Sequence, residues 1–232
     1  MRIKMAFAAA LTLVMIAGIS GCAGKKQAQI DITNIVDLSH YTLSKTSDSE
    51  SSSYYTLNAD LNNKQDLDHT MVLDGVELIY PLTFEELGQK GWKISSEDAA
   101  NEEMKPSYAM SSYCENSAGH TIYVMGYNHL AEAAAYDKCT VKDIEITVLS
   151  SDDKYSKALK SAPEFIIYGS ITNASTIQDI INVLGEPSAI RTNGNLSKIT
   201  ITYDCNDGDI QFDLTSDGQH IILVDIDTLI LS

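Results

Sequence analysis

Hydrophobic positions along this chain change their spacing several times, and each spacing predicts a different kind of element. Residues 5–21 are almost continuously apolar, with Arg2 and Lys4 ahead of them. Large aliphatics then thin out from 23 to 68, where SKTSDSESSSYY is mostly serine and acid. Such a composition cannot bury enough surface to order itself, so residues 22–68 are expected to form a flexible tether. QIDITNIVDLSHYTL, inside that stretch, is more apolar and can add a strand or dock on the body.

The body begins near His69. TMVLDGVELIYPL reads as two strands around Asp74-Gly75, a dipeptide that favours a tight hairpin. PLTFEELGQKGWK follows; Thr83 and Glu86 form a capping box for a short helix with Phe84 and Leu87 facing inward. Trp92 is placed to pack that helix on a sheet. YAMSSYCENSAGHTIYVMGYN predicts two strands joined at ENSAGH, LAEAAAYDK a short helical connection, and TVKDIEITVL a strand. Residues 151–163 are polar and read as a linker.

The strongest helical pattern comes next. In STIQDIINVLGEP, Ile177, Ile180, Ile181 and Leu184 form one apolar stripe, Ser175 and Gln178 sit at capping-box positions, and Gly185 ends the run. SKITITYD, DIQFDLT and HIILVDIDTLI then read as three strands, with Asp207-Gly208 and Asp217-Gly218 at the turns. The order helix–strand–strand–strand therefore occurs twice. The expected fold is α+β, with two tandem repeats, each a short helix packed on a three- to four-stranded antiparallel sheet. The corresponding division is 1–21 signal peptide, 22–68 anchor and tether, 69–150 first repeat, 151–163 linker, and 164–232 second repeat.

The apolar leader is slightly short for a transmembrane helix, which needs about 20 apolar residues. Its positive start, greasy middle and small-residue end describe a secretory signal. Ile19-Ser20-Gly21-Cys22 resembles the lipobox of bacterial lipoproteins. That resemblance implies cleavage before Cys22, a diacylglycerol on its sulfur, and residence on the extracytoplasmic face of the cell membrane. Each buried CH₂ of an acyl chain contributes roughly 0.8 kcal/mol, so several chains anchor firmly. Lys25 and Lys26 would lie beside anionic headgroups.

Two further resemblances concern the body. Gly169, Ser170, Thr172, Asp179, Leu184, Gly185 and Pro187 resemble a signature of small bacterial lipoproteins and inhibitors. Those families share the fold of β-lactamase-inhibitory protein and of the small outer-membrane-assembly lipoprotein. VLDGVELIYPLTFEELGQKGWKI resembles a segment of cell-surface lipoproteins of Clostridia-like gut bacteria. These residues cap, stripe and stop helices, so they imply a fold, and a fold does not fix a function.

The formal charge is −16, and removal of residues 1–21 takes Arg2 and Lys4 but no acid, leaving −18. A nucleic-acid partner, which requires a basic face, is not expected. Of four cysteines, lipidation of Cys22 leaves Cys114, Cys139 and Cys205, an odd number. A Cys114–Cys139 bridge is one alternative; the other is that all three are small buried hydrophobes.

Signatures of catalysis are missing. The chain has no G-x-S-x-G, no CxxC and no zinc-like Cys/His spacing, and His40, His69, His120, His129 and His220 read as surface or turn residues. Asp204, Asn206, Asp207, Asp209 and Asp213 crowd together, but they do not fit a calcium loop, because Gly208 falls at position five and Thr215 at position twelve. Tyr108, Tyr113, Tyr123, Tyr127 and Tyr136 read first as sheet-packing residues, and second as a platform for sugars or peptides. No cofactor or metal is expected. The reading that results is a lipid-anchored, non-enzymatic binding module whose partner is an envelope protein or ligand. The alternative is an inhibitor of a secreted or envelope enzyme, acting through the ENSAGH or NDGD turn.

Overall fold

The computed structural model describes residues 30–38, 43–49, 52–57, 65–95, 102–149 and 162–228. Among them, sixteen strands stand against two α-helices and two 3₁₀ turns. The strands are β1 (Leu43–Ser49), β2 (Ser52–Leu57), β3 (Thr70–Leu73), β4 (Val76–Ile79), β5 (Lys93–Ile94), β6 (Glu103–Met104), β7 (Ala109–Glu115) and β8 (Thr121–Tyr127). After these come β9 (Ala134–Ala135), β10 (Thr140–Thr147), β11 (Phe165–Ile167), β12 (Ile171–Thr172), β13 (Ala189–Asn193), β14 (Lys198–Asp204), β15 (Gly208–Thr215) and β16 (Ile221–Thr228). Helix α1 is Phe84–Gln89 and α2 is Ile177–Leu184.

This is not the expected α+β arrangement of two repeats, each a helix on its own small sheet. The chain is mostly β, and its two halves share one ten-stranded antiparallel sheet, in the order β1-β2-β13-β14-β15-β16-β10-β8-β7-β5. A second sheet, β12-β11-β3-β4, also mixes the halves, with β3 pairing β11. The physical reason is that a strand left at the edge of each half would present unpaired N–H and C=O groups. Here β16 of the second half closes against β10 of the first.

The expected tether is also partly strand. β1 and β2 pair with each other, and β2 pairs with β13 from Ala189↔Thr56 to Asn193↔Ser52. Ser53 and Tyr55 are buried there. Pairing against an existing sheet supplies the stability that serine-rich composition alone lacks. Upstream, Ile32, Val36 and Leu38 are buried in the core, so the more apolar part of the segment docks.

Local signals hold closely. Thr83 caps α1 and completes a capping box with Glu86. In α2 the cap moves by one residue: Thr176 and Asp179 form the box, while the Ser175 hydroxyl accepts from Thr172 N at 3.0 Å. The carboxylate of Asp179 can satisfy both the backbone N–H and the hydroxyl of Thr176, at 2.8 Å each. Ile177, Ile180, Ile181 and Leu184 are all buried, and Gly185 ends the helix at φ +78°.

Three polar junctions lock separate elements onto the large sheet. Asp74, in the β3–β4 turn at φ +50°, accepts from Asn116 Nδ2 at 2.6 Å and from Glu164 N at 2.8 Å, and its carboxylate lies 2.6 Å from His120 Nδ1. Asp207 accepts from Leu67 N at 2.7 Å and lies 2.6 Å from His69 Nε2. Lys138 pairs with Glu85 of α1.

Gly208 lies in β15, not at a turn apex, and its backbone is pressed against β16. A Cβ there would stand 2.1 Å from the Asp227 carbonyl and 2.4 Å from Leu67 Cδ1. Gly208→Ala should therefore destabilise the fold by about 1–3 kcal/mol in urea titration. Gly88, inside α1, has no neighbouring atom within 4 Å of a Cβ. Gly88→Ala should raise stability by about 0.5–1 kcal/mol in the same titration.

Candidate functional site

The ten-stranded sheet has two different faces. On one, Ile190, Ile199, Ile201, Tyr203, Ile210, Phe212, Leu214, Val224, Ile226, Ile144, Ile146, Ile122 and Val124 enter the core. Alternate residues point the other way and belong neither to that core nor to the side chains packed on it. The register of six neighbouring strand pairs aligns these outer residues in rows.

One row runs Ser111, Met125, Asp143, Asp227, Asp209, Asp204. The next runs Tyr113, Tyr123, Glu145, Asp225, Gln211, Thr202. A third continues through Thr147, Leu223, Asp213, Thr200 and Arg191. Seven carboxylates thus share the face with Lys142, Lys198 and Arg191. Four aspartates stand directly opposite one another across four adjacent strands, an arrangement that sheets disfavour.

The face answers this repulsion in two ways. Lys142 pairs with Asp227, and Lys198 pairs with Asp213 at 2.5 Å, where the Thr200 hydroxyl also donates to Asp213 at 2.5 Å. Asp143 and Asp225, diagonal neighbours, are joined by a side-chain hydrogen bond. Burial, the Asp225 hydrogen bond and the charges of Asp225 and Asp227 push Asp143 up to about 9, so the Asp143–Asp225 pair holds a proton between them. Burial also raises Asp225 and Glu145, and it pushes Asp209 up to about 6 with help from Asp227 and Asp225. One carboxylate oxygen each of Asp143 and Asp225 is shielded from solvent without a hydrogen-bond partner.

Beside the acids lies an aromatic border. Tyr113 and Tyr123 pack edge to face with centroids 5.3 Å apart, and Tyr113 is 58% exposed. Tyr127 follows on β8, half-buried, and Tyr108 precedes β7, exposed. Tyr136 alone of the five is in the core, its ring tilted 40° against Phe84 with centroids 4.1 Å apart. The opposite end of the face opens into a groove of about 590 Å³, bounded by Thr147, Leu149, the hairpin tip Asn195–Ser197, Ile222, Leu223 and the Lys198–Asp213 pair.

The other candidates take structural roles. Cys114, Cys139 and Cys205 are free and buried, so no bridge joins Cys114 to Cys139. The sulfurs fill the core as small apolar groups; the Cys139 thiol turns to the Ala135 carbonyl at 3.6 Å. Burial pushes the Cys114 thiol up to about 12 and Cys205 to about 11, which suppresses thiolate chemistry. Of the crowded residues near Asp207, three have other commitments, Asp207 to His69 and Leu67, Asn206 to Asp66 and Asp213 to Lys198, while Asp204 and Asp209 stand in the outer row. Among the described residues no group of three or more His, Cys, Asp or Glu is arranged to hold a metal ion. In the ENSAGH turn Asn116 and His120 are tied to Asp74, while Glu115 and Ser117 are exposed. Cys22, His40 and most of the expected linker lie outside the described residues. No helix among the described residues is long and apolar enough to cross a membrane.

The outer face was partly visible in the sequence. Asp209, Gln211 and Asp213 alternate with apolar residues, as do Asp225 with Asp227 and Asp143 with Glu145. What the sequence does not reveal is that β10 lies beside β16, which turns separate alternations into rows. Comparison with protein-family models, with curated proteins and with solved structures finds no match for the chain.

The raised carboxyls make stability pH-dependent. Groups that bind protons more tightly folded than unfolded stabilise the fold at low pH and lose that contribution as pH rises through the folded values. From Asp209 and Asp143, the melting temperature should fall between about pH 5 and pH 9. Asp143→Asn should flatten that slope and stabilise the protein at pH 8 in calorimetric scans. A gain of 1 kcal/mol would appear as a rise of about 2–4 °C.

Proposed function

We propose that the chain is a lipid-anchored extracytoplasmic lipoprotein that acts as a non-enzymatic binding module, presenting the outer sheet face to an envelope partner. The observation that carries this reading is the row Asp143, Asp227, Asp209, Asp204, with its tyrosine border. Aligned like charges lower stability, so their concentration on the face outside the core suits recognition better than folding. Exposed tyrosine is enriched at protein-recognition surfaces, and a face of one charge sign selects its partner by electrostatic complementarity. No nucleophile–base pair is apparent on the face, and the buried thiols are unsuited to catalysis. The inhibitor reading has less support, because Asn116 and His120 of one proposed insertion turn and Asp207 of the other are engaged within the fold.

The anchor is Cys22, eight residues before Ile30, the first described residue. At about 3.5 Å per residue, this spacer reaches at most about 28 Å. A partner would therefore be met close to the membrane surface.

Cys22→Ala should leave the precursor unprocessed or release the protein to the medium, read by acyl labelling and cell fractionation. Unchanged acylation would refute the anchor. A photo-crosslinking amino acid at position 113 should trap a defined envelope component on living cells, and one at Lys90, exposed after α1, should not. Equal labelling from both positions, or turnover in a hydrolase screen with no crosslink, would overturn the binding reading.

A further inference from the structure

Resting on that reading, we infer that the partner contacts the face through a cationic amphipathic segment, with an aliphatic or aromatic side chain seated in the groove beside the Lys198–Asp213 pair and its lysines or arginines over the aspartate rows. The groove is built for an apolar anchor at one end of a charged surface. Leu196, at the tip of the β13–β14 hairpin, is 57% exposed, and Leu149 across from it is 42% exposed. Leu223 sits in the row that contains Asp213, so groove and charged face are continuous. Asp213 is 6% exposed and already held by Lys198 and Thr200, which leaves Leu149, Leu196, Ile222 and Leu223 as the part of the lining open to an apolar side chain.

Charge selects among occupants. Of the seven carboxyls on the face the Asp143–Asp225 pair holds one proton, leaving six negative charges against three cations, two of which are engaged with Asp227 and Asp213. A second copy of this chain would bring the same acidic face and a net charge near −18 after processing, so self-association on this surface is opposed. Anionic lipid headgroups are opposed in the same way. A purely polar polycation would leave Leu149, Leu196 and Leu223 exposed to water. A segment that alternates apolar anchors with Lys or Arg satisfies both halves of the surface, and Tyr113 adds a ring face for a cation.

The test uses the full-length chain in neutral detergent and three fluorescent peptides of equal length. The first is a leucine–lysine amphipath; in the second glutamate replaces lysine, and in the third serine replaces leucine. The leucine–lysine peptide should bind with an affinity that falls steeply with salt. The serine peptide should bind at least tenfold more weakly, and the glutamate peptide not at all. Leu196→Ser should weaken the leucine–lysine peptide about tenfold, and Asp209→Asn should reduce its salt dependence; Leu149→Ser serves in place of Leu196→Ser if that variant melts early. Equal affinity for the leucine and serine peptides, or no loss with either leucine variant, would overturn the groove assignment. Absence of binding by the leucine–lysine peptide would overturn the partner chemistry. If crosslinking from position 113 nevertheless traps an envelope component, the binding reading survives that result; if it traps none, both fail together.

Discussion

The pairing of β10 with β16 is the constraint on which the rest of this structure depends. It joins strands from the two halves into one sheet and brings Asp143 opposite Asp227, and Glu145 opposite Asp225. The same register sets Ile144 against Ile226 and Ile146 against Val224 on the core side. Burial of each such side chain stabilises by roughly 1.5–3 kcal/mol. Opposed like charges cost only up to about 1 kcal/mol per pair. The apolar face therefore dictates the register, and the acids follow. A slip by one residue would turn the carboxylates inward and the isoleucines outward, which forbids any cheaper arrangement.

Given that seam, the charges adjust to one another. Lys142 and Lys198 reach across strands to the nearest aspartates, and Asp143 and Asp225 hold a proton between them. The core side needs no such adjustment, since it is filled by isoleucine, leucine and aromatic rings down to Trp92 at 1% exposed. The small sheet β12-β11-β3-β4 is fastened by the Asp74 junction, and the segment leading into it by the His69–Asp207 contact. These junctions draw on turn residues that could have served as free loops.

Local features were legible because local physics decides them. The Asp74-Gly75 hairpin, the Thr83–Glu86 capping box, the α2 stripe and the β7–β8 hairpin all rest on contacts a few residues apart. The Ser175 cap was displaced to Thr176 because the Asp179 carboxylate is a stronger acceptor than an amide, and it sits three residues on. β1 and β2 were missed for the opposite reason. SKTSDSESSSYY has no signal of its own, and becomes strand only because β13 offers a partner. The grouping of helices and strands into two separate units failed likewise, since whether edges pair is a property of the assembled sheet.

The sequence by itself determined the short-range turns and caps, the apolar stripes and the acidic balance, because each is written in the residues themselves or in residues close together in the chain. Tertiary structure alone decided that the chain is mostly β, that its halves share a sheet, that three cysteines stay as free buried thiols, and that alternating acids on distant strands form continuous rows. Those outcomes depend on which strands become neighbours. Residues 143 and 227 are 84 positions apart, and only burial of the isoleucines between their strands brings them face to face.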